Sequence, residues 1–245
     1  MKNQRSGNEA GFSLLELIIA MGLTITIMGL SSTLLASGFR SRSREDRKSD
    51  AIADVQRAMN IMTREIGNTG FKLPSGLGAV ASNGIVTNDS DNTSLRIVSN
   101  LNGAPDSANG YAEDADVEDT DEDLKFLMYV DADLGQRYIV RYERNGTNQT
   151  TVLANRIDSL IFRYYDEKVT YDTSYNENTG VCDITNVKDA LGNTKAEVSP
   201  DNAKFIVIAV GVTLPAVGSP KTDGYQPASH VQLTSDVVLR NSIVY

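Results

Sequence analysis

Apolar and polar positions divide the chain into two regimes. From Leu14 to Phe39 the residues are mostly apolar, Glu16 is the single charge, and nothing charged stands between Glu16 and Arg40. The segment LIIAMGLTITIMGLSSTLLASGF exceeds the roughly 20 apolar residues that a helix needs to cross a bilayer. Beyond a basic patch, Ile52, Val55, Met59, Met62 and Ile66 recur in alternating steps of three and four, which predicts an amphipathic helix with a narrow buried seam. Gly67 and Gly70 supply a stop, and all six prolines lie after Gly70. Nothing therefore interrupts one continuous helix over Phe12 to Ile66, on the order of 80 Å long at 1.5 Å per residue.

From Phe71 onward the helical period is lost and short β-type runs alternate with polar stretches. Strands are predicted at Ser94 to Ser99, Lys125 to Val130, Arg137 to Arg144, Ser159 to Asp166, Phe205 to Leu214 and Val231 to Asn241. In the third run Tyr138, Val140 and Tyr142 share one face, with Ile139, Arg141 and Glu143 on the other. Loops are predicted over Pro74 to Thr93, Asn102 to Asp123, Tyr171 to Pro200 and Val217 to Ser229, long enough to serve partner contacts. The expected class is α+β: a long N-terminal helix whose outer half packs on an antiparallel sheet.

Composition narrows the chemistry. The formal charge is −9 and no Lys/Arg-rich face of domain scale is present, which argues against direct nucleic-acid binding. The single cysteine, Cys182, excludes an intrachain disulfide and reads as a small buried thiol or as a partner in a mixed disulfide. The single histidine, His230, lies in a Pro- and Ser-flanked stretch read as surface loop; its catalytic alternative is activation of a serine. No nucleophile elbow, phosphate loop or zinc-protease motif is present, and no catalytic residue is assigned. The acidic run EDADVEDTDED places Asp114, Asp116 and Glu118 at every second position, as Ca²⁺ loops often arrange oxygen ligands. It lacks the glycine and distal glutamate of an EF-hand loop, so a solvated acidic loop competes with the Ca²⁺ reading, and no other cofactor is expected. Asp131 to Gly135 reads as a turn between strands.

The N-terminus carries the most specific signal. Lys2 and Arg5 precede the apolar run, and a cleavable secretory signal is the first alternative, but the run exceeds an ordinary signal core. Arg40, Arg42, Arg44, Arg47 and Lys48 follow it, a bias that by itself would hold the C-terminal part in the cytoplasm. A short basic leader ending in Gly11, then Phe12, Ser-Leu-Leu and Glu16, then an unbroken apolar helix, resembles the leader of type IV prepilins and type II secretion pseudopilins. The order of later segments, RAMNIMTREIGNTGF, QRYIVRYER, LANRIDSLIFRYYD and VVLRN, is similar to PilW-like minor pilins and to the larger minor pseudopilin, J.

That resemblance implies a non-enzymatic subunit of a type IV pilus that primes assembly or caps the tip, with a pseudopilin as the alternative. An anchored extracytoplasmic enzyme or Ca²⁺-binding domain is the rival of another class. It further implies cleavage by a prepilin peptidase between Gly11 and Phe12, N-methylation of Phe12, and Glu16 as the charge that docks on a neighbouring subunit's N-terminal ammonium. Four segments follow: leader 1–11, membrane or filament-core half of the helix 12–39, amphipathic half 40–70, and a β-rich head 71–245. Other pilins or pseudopilins, the peptidase and an inner-membrane assembly platform are the implied partners. The implied location is the inner membrane with the head outside the cytoplasm, then a pilus or periplasmic pseudopilus.

Overall fold

Ten consecutive residues, Phe205 to Leu214, have almost no exposed side chain, and the fold of the head is organised around them. The computed structural model describes residues 13–74, 77–101, 116–145, 149–221 and 225–242. Among these, one helix, α1 (Leu14–Gly67), precedes nine strands: β1 (Ser94–Val98), β2 (Asp123–Val130), β3 (Arg137–Glu143), β4 (Thr150–Asn155), β5 (Ser159–Tyr165), β6 (Thr170–Asn176), β7 (Val181–Lys188), β8 (Phe205–Leu214) and β9 (Ser229–Val238). All pairings are antiparallel, in a four-stranded sheet β1-β2-β3-β4, a three-stranded sheet β5-β8-β9 and the hairpin β6-β7. The chain forms two compact units, one of residues up to Asp46 with Val217–Pro227, the other of Arg47–Ala216 with the residues from Ala228 onward.

In the second unit α1 packs through its predicted seam. Val55, Ala58, Met59, Met62 and Ile66 are buried in one core with Phe126 of β2, Ile139 of β3, Leu160 and Phe162 of β5, and Ile206, Ile208 and Val210 of β8. Alternation along β8 sends Phe205 and Val207 to the opposite face, where they join Tyr165, Val169 and Ile184 in a second cluster. A strand covered on both faces favours apolar side chains throughout, which is why β8 reads as an apolar run broken only by the half-buried Thr213 near its end.

The hairpin β6-β7 supplies that second cover. Gly211 of β8 lies under Cys182 of β7: a Cβ there would stand 2.5 Å from the Cys182 Sγ and 2.7 Å from the Ser159 Oγ. The Ser159 hydroxyl accepts the Cys182 N–H at 3.0 Å. Arg163 donates through Nε to one Asp183 oxygen (3.1 Å), through Nη2 to the other (2.5 Å), and through Nη1 to Glu197 (2.9 Å). These bonds to Asp183 hold the guanidinium above its ordinary pKa despite its burial. Burial pushes the neighbouring Tyr165 phenol up to about 12.

The inner face of the four-stranded sheet is mostly apolar, with Leu95, Ile97, Leu124, Phe126 and Ile139 in the core, and Arg141 is set among them. Ile139 is fully buried, and Arg141 on the same face binds Glu65 of α1 through Nε at 3.0 Å, with Asp121 and Glu143 completing its partners. Burial opposes the charge on Arg141, and the bonds to Glu65 and Asp121 outweigh it. On the opposite face, one register position along, Asp89 gathers Arg96, Lys125 and Arg144. Burial works to raise the Asp89 pKa, yet these cations hold the carboxyl below its ordinary value.

Three expectations change in detail. The single sheet becomes three. The expected loop Tyr171 to Pro200 contains β6 and β7, and the unassigned stretch before Ser159 contains β4. Most of their exposed residues are Thr, Asn and Asp, and only Cys182, Ile184, Leu153 and Ala154 are buried, so little apolar alternation marks them. His230 lies on β9 rather than in a loop, because its register partner Thr213 continues the ladder of β8. The turn at Asp131 to Gly135 forms as expected, its Asp131 Oδ1 accepting the N–H groups of Asp133 and Leu134.

Two outcomes follow, both measured on the full chain in detergent. Gly211→Ala destabilises the head by about 1–3 kcal/mol, the usual cost of overpacking, and Cys182→Gly in that background recovers part of the loss. A double-mutant cycle by chemical denaturation reads the coupling between the two positions. Because the Asp89 pKa is lower folded than unfolded, its stabilisation is present above the unfolded carboxylate value near 4 and is lost as pH falls through the folded value. Thermal denaturation therefore shows stability steady from neutral pH to about 5 and falling below about 4, with a shallower acid limb in Asp89→Asn.

Candidate membrane-spanning and assembly segment

The first part of α1 shows its apolar side chains to the surroundings on every side. Leu14, Leu15, Leu17, Ile18, Ile19, Met21, Leu23, Ile25, Ile27, Met28, Leu30, Leu34, Leu35 and Phe39 are each more than half exposed. An 18-residue window of the helix reaches a mean hydropathy of 2.0 with none of it buried, so the helix is long and apolar enough to cross a membrane. Burial of one such side chain is worth roughly 1.5–3 kcal/mol, so fourteen of them left in water would cost more than the 5–15 kcal/mol that holds a typical domain together. Such a surface suits an apolar solvent.

The polar side chains within the span are arranged for the same surroundings. Thr24 donates to the Ala20 carbonyl (2.7 Å), Thr26 to Gly22 (2.7 Å), Ser32 to Met28 (2.8 Å), Thr33 to Leu30 (2.8 Å) and Ser37 to Leu34 (3.0 Å). Each hydroxyl is satisfied one turn back, as a medium without water requires. The segment Ser31-Ser32-Thr33 stays helical throughout.

Glu16 lies in the first turn of α1 and is exposed. The backbone N–H groups at a helix N-terminus favour a carboxylate there. The helix opens with Leu17 N–H donating to the Ser13 carbonyl at 3.1 Å. Gly11 and Phe12, the expected cleavage and methylation positions, lie outside the described residues, as does Asp114 of the acidic run.

The rest of that run serves the chain's own backbone. Asp116 Oδ1 accepts the Glu118 N–H at 3.1 Å, and Glu118 is exposed. Glu122, which the sequence pattern did not single out, is almost fully buried and accepts the N–H groups of Leu101 (2.8 Å) and Asp119 (3.2 Å). Among the described residues no three Asp, Glu, His or Cys side chains are grouped to hold a metal ion.

The two remaining candidates are tied into the head. Cys182 is buried and free, and burial pushes its thiol up, away from the reactive thiolate. His230 Nδ1 lies 2.8 Å from the Thr213 hydroxyl and Nε2 3.1 Å from the Tyr175 hydroxyl, with the Tyr175 ring stacked on the imidazole. Both ring nitrogens thus join β9 to β8 and β6, with no serine in the hydrogen-bonded set. A cleft of about 430 Å³ in the second unit is lined by Arg47, Asp50, Asp54, Tyr138 and Arg156, charges of both signs, and by Thr213.

Sequence reasoning missed Arg44. Its Nη1 donates to Gln226 Oε1 (3.1 Å) and its Nη2 to the Pro227 carbonyl, within the compact unit that contains the apolar half of α1. The loop Val217–Pro227 is closed by reciprocal backbone bonds between Val217 and Gln226 (2.9 and 3.0 Å), a pairing that its Gly- and Pro-rich sequence does not signal. Compared with known proteins, the chain matches no family model, no curated protein and no solved structure.

Proposed function

We propose that the chain is a minor pilin: a non-enzymatic subunit made as a prepilin, cut between Gly11 and Phe12, N-methylated on Phe12, held in the inner membrane by α1 with its head outside the cytoplasm, and assembled at low copy into a type IV pilus. The observation that carries this reading is the placement of one carboxylate, Glu16, in the first turn of a helix whose next 23 positions are uncharged and, but for the half-buried Ser37, exposed, and whose far end is packed in the core of a folded head. In a purely anchoring helix that carboxylate gains only the field of the helix N-terminus, whereas a charge entering hydrocarbon costs free energy unless it finds a partner. An N-terminal ammonium on a neighbouring subunit is such a partner, and it exists only after cleavage. The head supports an end position in a fibre, since its hairpin β6-β7 and long connections add bulk beyond the sheets that cover α1.

The deciding experiment is mass spectrometry of the mature N-terminus in cells with and without a prepilin peptidase. N-methylated Phe12 is expected only with the peptidase, whereas an intact Met1 or a cut near Gly38 would overturn the reading. Glu16→Ala is expected to leave the protein in the membrane and to lower its recovery in sheared filaments by about ten-fold or more, as removal of one partner of a buried ion pair costs several kcal/mol. Immunoblots of membranes and of sheared filaments measure both fractions.

A further inference from the structure

We infer that the basic residues at the end of the apolar span form a binding collar for the phosphate groups of anionic phospholipids, with Arg40 and Arg42 as its principal contacts. The inference rests on the membrane-anchored reading of α1 and not on the filament reading. Leu17 to Phe39 is an uncharged helical stretch of 23 residues, about 35 Å at 1.5 Å per residue, against a hydrocarbon core of about 30 Å. With Glu16 near one surface of the bilayer, Arg40 and Arg42 emerge at the headgroups of the other. Their long stems let the guanidiniums reach the phosphates while the Cα atoms remain close to the acyl boundary.

The structure leaves these two arginines available. Both are exposed, and among the described residues neither is salt-bridged. Arg44 is already engaged by the loop Val217–Pro227, which also places the exposed Lys221 in the same compact unit. The carboxylates that could neutralise the patch, Glu45 and Asp46, come later along the helix, on the side away from the apolar end. Phe39, exposed at the last apolar position, is suited to the interface beside them. Planar guanidiniums match phosphate oxygens in paired hydrogen bonds. The collar would fix the depth of the helix in the bilayer. It would also account for a positive cluster that opposes the orientation implied by the leader.

The test uses the full chain reconstituted in phosphatidylcholine vesicles with and without phosphatidylglycerol. Carbonate extraction reports insertion, and native mass spectrometry after gentle solubilisation counts retained lipid. Wild type and Arg40→Lys/Arg42→Lys are expected to resist extraction from both vesicles and to retain phosphatidylglycerol over phosphatidylcholine, the lysine variant less strongly because it keeps the charge and loses the paired hydrogen bonds. Arg40→Gln/Arg42→Gln is expected to insert equally and to lose that preference by on the order of 30-fold, about five-fold for each surface charge and its square for two. Equal retention of the two lipids by wild type, or unchanged retention by the glutamine variant, overturns the collar while leaving the anchor intact. Release of wild type by carbonate from both vesicles overturns the anchor and the collar together.

Discussion

Strand β8 has no face to give to water, and the architecture of the head follows from that constraint. Ile206, Ile208, Val210 and Val212 must be covered on one side, Phe205 and Val207 on the other. The seam of α1 meets the first requirement together with apolar side chains of β1, β2 and β3 in the same core, and the hairpin β6-β7 meets the second. Gly211 lets the hairpin approach, since a Cβ at that position would occupy the space of the Cys182 sulfur. Two apolar interfaces on one strand make the head a layered body even though its sheets are small.

Guanidinium groups fix how the layers are registered. Arg163 ties β5 to Asp183 of the hairpin, Arg141 ties β3 to Glu65 near the end of α1, and Arg96 ties β1 to Asp123 of β2 while sharing Asp89. Hydrophobic contact alone tolerates sliding, whereas a half-buried arginine with two or three carboxylates does not, because each oxygen left unmatched carries a desolvation cost. The overall negative charge of the chain coexists with this: many of its carboxylates serve as internal partners, among them Glu65, Asp89, Asp123, Asp183 and Glu197.

The parts legible in the sequence are those where one solvent acts on a long run of residues. The seam of α1 and the continuous run of β8 declare themselves because burial selects apolar side chains at regular positions, and Gly67 ends the helix where the seam ends. Strands β4, β6 and β7 were hidden because most of their side chains face water, and Thr, Asn and Asp serve a solvated strand as well as a loop. Arg141 and Glu143 look like surface residues by type, and only the position of Glu65, far away in sequence, makes an inward placement tolerable. The acidic run shows the same ambiguity: Asp116 and Glu122 bond to nearby N–H groups, a role that the alternation of carboxylates does not separate from metal ligation.

On the filament reading, the same chemistry allows α1 to pass from lipid to a bundle of neighbouring helices without refolding. Its backbone bonds are internal, the hydroxyls of Thr24, Thr26, Ser32, Thr33 and Ser37 are satisfied within the helix, and no proline interrupts it. Lipid tails and apolar side chains of other helices are nearly equivalent surroundings, so the exposed leucines, isoleucines and methionines contribute little net preference for either. Glu16 is the group in the span whose free energy changes most on transfer, from a carboxylate at the bilayer surface to one enclosed among helices. A single charge at the start of the helix can therefore bias the choice between membrane and fibre, while the much larger apolar surface keeps the chain out of water in both.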